Sequence, residues 1–335
     1  MGFYDITGRL GLISNLLQIV ENNKIANAYL FVGPEGMGKK TIGFFFANAL
    51  LCGFESKKPC GNCVGCKQFA SGNHPDMKVI KPQKTSIGIE EIRSIQKELI
   101  IRPYQSDRKL ILIEDAHLMT FQAQNALLKS LEEPPPFVVF MLLSQRLQGL
   151  LPTVLSRLKA FRLEPLSKNE IAAIIVRRTD SPPEKAELFA ALSEGNPGKG
   201  LKLAVSSEFT LQREAVSGLL RNISADFSEL LGYESLFTNN KDNIESIFDF
   251  LNLWFRDYLV FKETKDVNLI INIDMVDLFV THAEALQVED ALYMIELIEK
   301  SKKMIKGNAN FHMVVENVLF EIFGRFKHGG YRSTV

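Results

Sequence analysis

Residues 27–48 read NAYLFVGPEGMGKKTIGFFFAN. Tyr29 to Val32 is a short apolar run of the kind that forms a buried strand. It is halted by Gly33-Pro34-Glu35-Gly36-Met37-Gly38-Lys39, and an apolar-rich helix follows to about Leu51. Strand, glycine loop and helix come in the order a phosphate-binding loop requires. Gly33, Gly36 and Gly38 let the backbone curl so that its N–H groups converge on phosphate oxygens. The helix N-terminus adds its positive dipole end, and Lys39 is placed to reach β- and γ-phosphates. The pattern then asks for Ser or Thr, whose hydroxyl holds Mg²⁺. This chain has Lys40 there. Thr41 comes one residue late, turned about 100° round the helix. The loop is well formed for phosphate and poorly formed for the metal.

Around this stretch, apolar runs recur at 76–80, 109–113, 138–143 and 160–163, separated by segments of helical period at 87–99 and 120–131, with a short segment at 151–157. A further helix over 7–24 precedes the first strand. Strands alternating with helices predict parallel βαβ units with helices on both faces of the sheet. After Pro165 the pattern changes. Short helices are expected at 169–178, 183–193 and 197–204. Longer ones follow at 209–221, 223–235, 242–262, 267–283, 286–304 and 309–326, with 269–273 ambiguous between helix and strand. The expected organisation is an α/β phosphate-loop domain over 1–165, a small helical domain over 166–207, and a larger all-α domain over 208–327. A polar tail occupies 328–335.

Composition narrows the functional classes. Of 335 residues, 46% are hydrophobic and 23% charged, ordinary values for a globular protein. Lys plus Arg and Asp plus Glu are equal at 39 each, so net charge lends no support to nucleic-acid binding. No apolar run is long enough to span a bilayer, and the first residues carry neither a secretory nor a myristoylation pattern. A cytoplasmic protein without a membrane partner is expected.

All four cysteines lie at 52, 60, 63 and 66. A cytosolic compartment keeps thiols reduced, which argues against disulfides. Four thiolates so close suit tetrahedral Zn²⁺, and the absence of an open coordination position makes such a site structural. Free surface thiols, or a redox pair at Cys60 and Cys63, are the alternatives. Glu114 and Asp115 close the apolar run 109–113. In phosphate-loop enzymes a carboxylate here holds Mg²⁺ and a neighbour positions water; a solvated strand end is the plainer reading. Asn125 to Pro136 (NALLKSLEEPPP) is an amphipathic helix stopped by prolines. Ser156-Arg157 reads, on its own, as a surface charge. Gly195 to Leu201 reads as a turn and helix start, with Pro197 at the first turn.

Together, GPEGMGKKT, the CGNCVGC insertion, LILIEDAH, NALLKSLEEPPP and VLSR, in that order, resemble the AAA+ clamp-loader family. The resemblance covers about half the chain. It implies a pentameric assembly that opens a ring-shaped sliding clamp and places it on primed DNA. It assigns 52–66 as a zinc module, 166–207 as a lid and 208–327 as a collar that holds the other loader subunits, of the motor (tau/gamma) and delta types. It carries Cys52, Cys60, Cys63 and Cys66 over as zinc ligands. Gly33, Pro34, Gly36, Gly38, Lys39, Lys40, Thr41, Glu114 and Asp115 carry over as the ATP or ADP site. Arg157 carries over as an arginine finger acting on a neighbour's ATP. Motor subunits of the family carry Ser or Thr after the loop lysine, Asp-Glu at the strand end, and an arginine at the helix start 195–198. Here those places hold Lys40, Glu114-Asp115 and Gly198. These three departures predict a stator that lacks effective hydrolysis. The alternatives are an ATP-hydrolysing motor subunit and a zinc-dependent nucleic-acid-binding module.

Overall fold

The strand before the phosphate loop, β1 (Ala28–Val32), is buried along its whole length. Its side chains alternate between two cores. Ala28, Leu30 and Val32 face one, and Tyr29 and Phe31 the other. The same alternation runs through β3 (Lys109–Ile113) and β4 (Val138–Ser144), which explains why all three read as unbroken apolar runs rather than as half-polar strands. The computed structural model describes residues 7–54, 58–83, 85–223, 232–241 and 244–328. Most of the helix expected over 223–235, and the tail from 329, lie outside the described residues.

β2 (Met77–Ile80) and β5 (Lys159–Arg162) complete a five-stranded parallel sheet in the order β2-β3-β4-β1-β5. One face is covered by α1 (Leu10–Glu21) and α2 (Lys39–Leu51), the other by α4 (Ile89–Leu99) and α5 (Phe121–Glu132). α3 (Val64–Ala70) starts directly after Cys63 and contains Cys66, and α6 (Pro152–Leu155) precedes β5. Three helices complete this side of the chain: α7 (Lys168–Arg178), α8 (Pro183–Leu192) and α9 (Pro197–Val205). α7 opens on a capping box in which Ser167 and Glu170 satisfy each other's backbone N–H groups. The Ser167 hydroxyl, its backbone N–H and Arg9 together hold the Glu170 carboxyl below its usual range.

The chain divides into two compact units, Met1–Lys202 and Leu203–Val335. The second contains no strand among its described residues. It consists of α10 (Ser207–Arg221), α11 (Glu234–Thr238), α12 (Ile244–Thr264), α13 (Val276–His282), α14 (Val288–Lys306) and α15 (Phe311–His328). Phe248, Trp254, Phe255 and Phe279 are fully or almost fully buried there.

Two expectations need correction. The helix expected over 267–283 is broken into 3₁₀ turns at Val267–Leu269 and Ile273–Met275, followed by α13. The cause is the buried Asp257. Its carboxylate accepts from the backbone N–H of Ile271 (3.0 Å) and Asn272 (2.7 Å), which therefore do not bond within a helix. The cysteine stretch, in turn, runs into the unanticipated α3. The Cys63 sulfur caps that helix by accepting from the Cys66 N–H at 3.3 Å.

Candidate nucleotide-phosphate site and metal centre

The phosphate loop leaves β1 at the carboxyl edge of the sheet, the edge where ligands bind in open parallel sheets. Gly36 (φ +81°) and Gly38 (φ +84°) take left-handed conformations that L side chains resist, and α2 starts directly at Lys39 with no side-chain cap. A cavity of about 510 Å³ opens over this helix start. Lys39, Lys40, Thr41, Glu114, Asp115 and the glycines 36 and 38 all line it. Gly33 and Pro34 stand one step behind, and Lys39 Nζ donates to both their carbonyls at 2.7 Å. Burial pulls the Lys39 ammonium below its ordinary value, against the opposing pull of Asp115 and Glu35.

The metal corner is built differently. Lys40 Nζ lies 3.0 and 3.2 Å from the two carboxylate oxygens of Glu114, and Lys81 Nζ lies 4.0 Å from the same group. The strand-end carboxylate is thus occupied by ammonium groups. Asp115, at φ +48°, turns the chain from β3 into a 3₁₀ turn. Mg²⁺ demands near-octahedral oxygen ligands at about 2.1 Å. A lysine in the hydroxyl's place and a second lysine nearby do not fit it.

The opposite wall of the loop is closed by the start of α9. Gly198 N–H donates to Gly36 O at 3.0 Å, and Asn196 Nδ2 donates to Glu35 O at 2.7 Å. A Cβ on Gly198 would stand 2.6 Å from Gly36 Cα. A side chain at 198 would meet the phosphate-loop backbone, so the position favours glycine. Several cavity residues carried no signal in the sequence. Gln145 directly follows β4, and its position after VVFMLLS is the only available hint. Arg9 and Arg178 line the cavity from outside any motif. The Arg9 guanidinium donates to Glu164 O and, at 3.3 Å, to Met37 O of the loop.

Arg157 lies elsewhere. β5 pairs in parallel with β1, Lys159 opposite Tyr29 and Arg162 opposite Val32. Arg157 precedes β5 and so sits at the amino edge of the sheet, while the phosphate loop leaves the carboxyl edge. Three strand residues alone separate the two edges by about 10 Å. Its guanidinium donates to Thr153 O at 2.7 Å and to Glu132 Oε1 at 2.6 Å. The segment is fixed from behind by the buried Gln124, which donates to Gly149 O (2.7 Å) and accepts from Leu151 N–H (2.7 Å).

The four cysteine sulfurs lie within 4.8 Å of one another. Cys52 and Cys63 sulfurs are 3.9 Å apart, and those of Cys60 and Cys66 4.0 Å. Sulfurs 2.3 Å from a tetrahedral zinc are separated by ~3.8 Å, so the donor set fits such an ion. The backbone N–H of Cys60 donates to the Cys52 sulfur and that of Cys63 to the Cys60 sulfur, both at 3.4 Å. Such donors favour thiolate: the N–H groups of Asn62 and Cys63 bring the Cys60 thiol down to about 6, whereas burial pushes Cys52 up.

The family described as DNA polymerase III, delta subunit, matches residues 9–167, the region holding the phosphate loop, the cysteines and Arg157. The Bacillus subtilis DNA polymerase III subunit delta-prime is 29% identical over 308 residues, spanning 91% of this chain and 93% of the relative. The Pseudomonas aeruginosa delta-prime subunit is 29% identical over 311 residues, 88% of this chain and 91% of the relative. Over nearly all of its length the chain is similar to delta-prime subunits of DNA polymerase III. A Haemophilus influenzae DNA polymerase III subunit tau/gamma is also similar, 29% identical over 249 residues, but these cover 72% of this chain and 36% of that relative. The two delta-prime relatives extend the likeness through the helical unit, where the sequence offers no motif. The fold is in keeping with this similarity: a parallel phosphate-loop sheet with a cysteine cluster between β1 and β2, followed by helices. Among the described residues no helix is long and apolar enough to cross a membrane.

Proposed function

We propose that the chain is the stator subunit of the DNA polymerase III clamp loader. In this role it assembles with motor subunits of the tau/gamma type and with a delta-type subunit, and it helps place the sliding clamp on primed DNA. Residues 208–327 act as the collar joining the subunits, 166–207 as the lid, and the four cysteines as ligands of a structural zinc. The phosphate loop holds ATP or ADP without hydrolysing it effectively. Arg157 acts on a neighbour.

The observation that carries this reading is the placement of Arg157. It is rigidly seated and exposed beside the edge strand β5, at the end of the sheet remote from its own phosphate loop. A guanidinium there cannot serve this chain's own γ-phosphate, but it is free to enter a site on an adjoining subunit, where such a group stabilises the charge of phosphoryl transfer. The metal corner supports the other half of the reading, because Lys40 and Glu114 neutralise each other where hydrolysis needs Mg²⁺.

The test is the DNA-stimulated ATPase rate of a loader rebuilt from this chain and its motor partners. Arg157→Ala should lower the rate on the order of a hundredfold or more with the complex still assembled. The variant should fold normally, since an exposed pair such as Arg157–Glu132 contributes at most about 1 kcal/mol. An unchanged rate would reduce Arg157 to a surface charge and remove the finger.

A further inference from the structure

The phosphate cavity contains an ion pair that the stator role does not require. Losing the metal hydroxyl needs only some other residue at position 40. What stands there is a lysine whose ammonium is bound, at 3.0 and 3.2 Å, to both oxygens of the carboxylate that closes β3. The Lys40 stem runs past the Phe44 ring, one helical turn on, with Nζ 5.6 Å from its centroid. The ammonium therefore lies between the Phe44 ring and the Glu114 carboxylate. Glu114 itself is 14% exposed, so its charge needs a partner.

We infer that Lys40 supplies the positive charge a divalent cation would otherwise provide, and that the cavity takes a nucleoside polyphosphate without Mg²⁺. This rests on the reading of the loop as a nucleotide site. The rest of the phosphate apparatus is present: left-handed Gly36 and Gly38, the uncapped start of α2, and Lys39. A nucleotide's β-phosphate brings negative charge close to Glu114 and Asp115. In a phosphate-loop enzyme the metal bridges that repulsion. Here Lys40 already sits on Glu114, with Lys81 at 4.0 Å, and it lines the same cavity as Lys39. An incoming Mg²⁺ would have to displace an ammonium from its carboxylate and would gain no hydroxyl ligand in return. The bound nucleotide then lacks the ion that activates its phosphoryl group and persists as a fixed structural ligand.

The experiment is titration of the full-length chain with fluorescent N-methylanthraniloyl-ADP, in excess EDTA and in millimolar Mg²⁺. Wild type should bind equally in both, within about twofold. Lys40→Ser restores the hydroxyl and removes the ammonium. It should bind at least tenfold more weakly in EDTA and recover when Mg²⁺ is added. A wild-type affinity that falls tenfold or more in EDTA would overturn the inference while leaving the nucleotide site standing. Absence of binding under both conditions would overturn the nucleotide reading and the inference with it. Lys40→Ser indistinguishable from wild type in both buffers would also refute the role given to Lys40. The wild-type comparison needs no variant, so a folding defect in Lys40→Ser cannot rescue the idea.

Discussion

The cysteine module and the phosphate loop lie in the same unit, and both have a backbone shaped for a ligand. They differ in what their side chains do. In the module the four sulfurs point at one another across 3.9 and 4.0 Å, and the backbone N–H groups favour their charged form. Nothing among these side chains neutralises the set from inside; it is arranged for an ion. In the phosphate loop the groups have found partners within the chain. Lys39 bonds the loop's own carbonyls, Lys40 holds Glu114, and Gly198 is pressed against Gly36. A shared backbone geometry therefore does not imply shared chemistry. The partner each polar group has already taken is what separates a donor set that fits a metal from a carboxylate held by ammonium groups.

The largest effect should come from breaking the module. Removing one ligand from a closed four-cysteine set removes the ion, whose binding is part of the folding free energy. Cys63→Ser keeps a side-chain acceptor at the N-cap of α3, so the effect reports the lost metal ligand rather than a lost cap. We expect ~1 zinc per chain in wild type and essentially none in the variant, with a thermal midpoint lower by on the order of 5–10 °C. Metal analysis and a melting curve decide the matter. Wild-type protein that is metal-free, with four thiols freely titratable in the native state, would end the comparison as drawn.

A smaller effect should come from the closed wall of the phosphate loop. Gly198→Ala places a Cβ 2.6 Å from the Cα of Gly36, a backbone atom that cannot swing aside. The expected cost is roughly 1–3 kcal/mol, as for overpacking elsewhere. It is measurable by denaturant unfolding of the full chain. Arginine at 198 carries the same Cβ and should incur at least this penalty without restoring hydrolysis, since Lys40 still holds the metal corner. A neutral Gly198→Ala would mean that α9 stands off the loop.

The parts legible in the sequence are those carried by local pattern. β1, β3 and β4 read as strands because both faces are buried and their apolar runs are continuous. The phosphate loop and the cysteine set read directly because glycine, lysine and cysteine spacing is itself the signal. α3 did not, because seven residues with Gly65 among them show too little helical period. The break at 270–272 was hidden because its cause, Asp257, lies in another helix. The same limit applied at the site. Lys40 was recognised as a departure, but its partner Glu114 is 74 residues away. Gly198 was likewise recognised as a missing arginine, while the reason, contact with Gly36, is long-range. Gln145, Arg9 and Arg178 belong to no motif, and only the folded chain brings them to the cavity.

The smallest effect tests the rule in the helical unit, where no ligand is expected. His282 is 4% exposed, and its Nε2 lies 2.9 Å from Leu220 O. A carbonyl only accepts, so Nε2 carries the proton and the neutral ring is already served from within. The ring meets Phe326 edge-on at 4.9 Å. Burial lowers the His282 pKa, with the Leu220 carbonyl opposing. The unfolded chain therefore binds the proton more readily, so stability rises with pH through the window between the lowered folded value and about 6.5. Above that window the contribution is fully present; as pH falls through it, the contribution is lost. Trp254, the only tryptophan, lies 6.2 Å from the His282 ring and reports unfolding there. Guanidinium unfolding followed by its fluorescence from pH 8 to 5.5 should show this loss in wild type. In His282→Gln, which keeps a donor but cannot titrate, the loss should be smaller and the pH slope flatter. Equal pH slopes would mean that the ring charges without penalty, so that its environment is wetter than its burial implies. The contrast between self-satisfied and ligand-directed polar groups would then stop at the first unit.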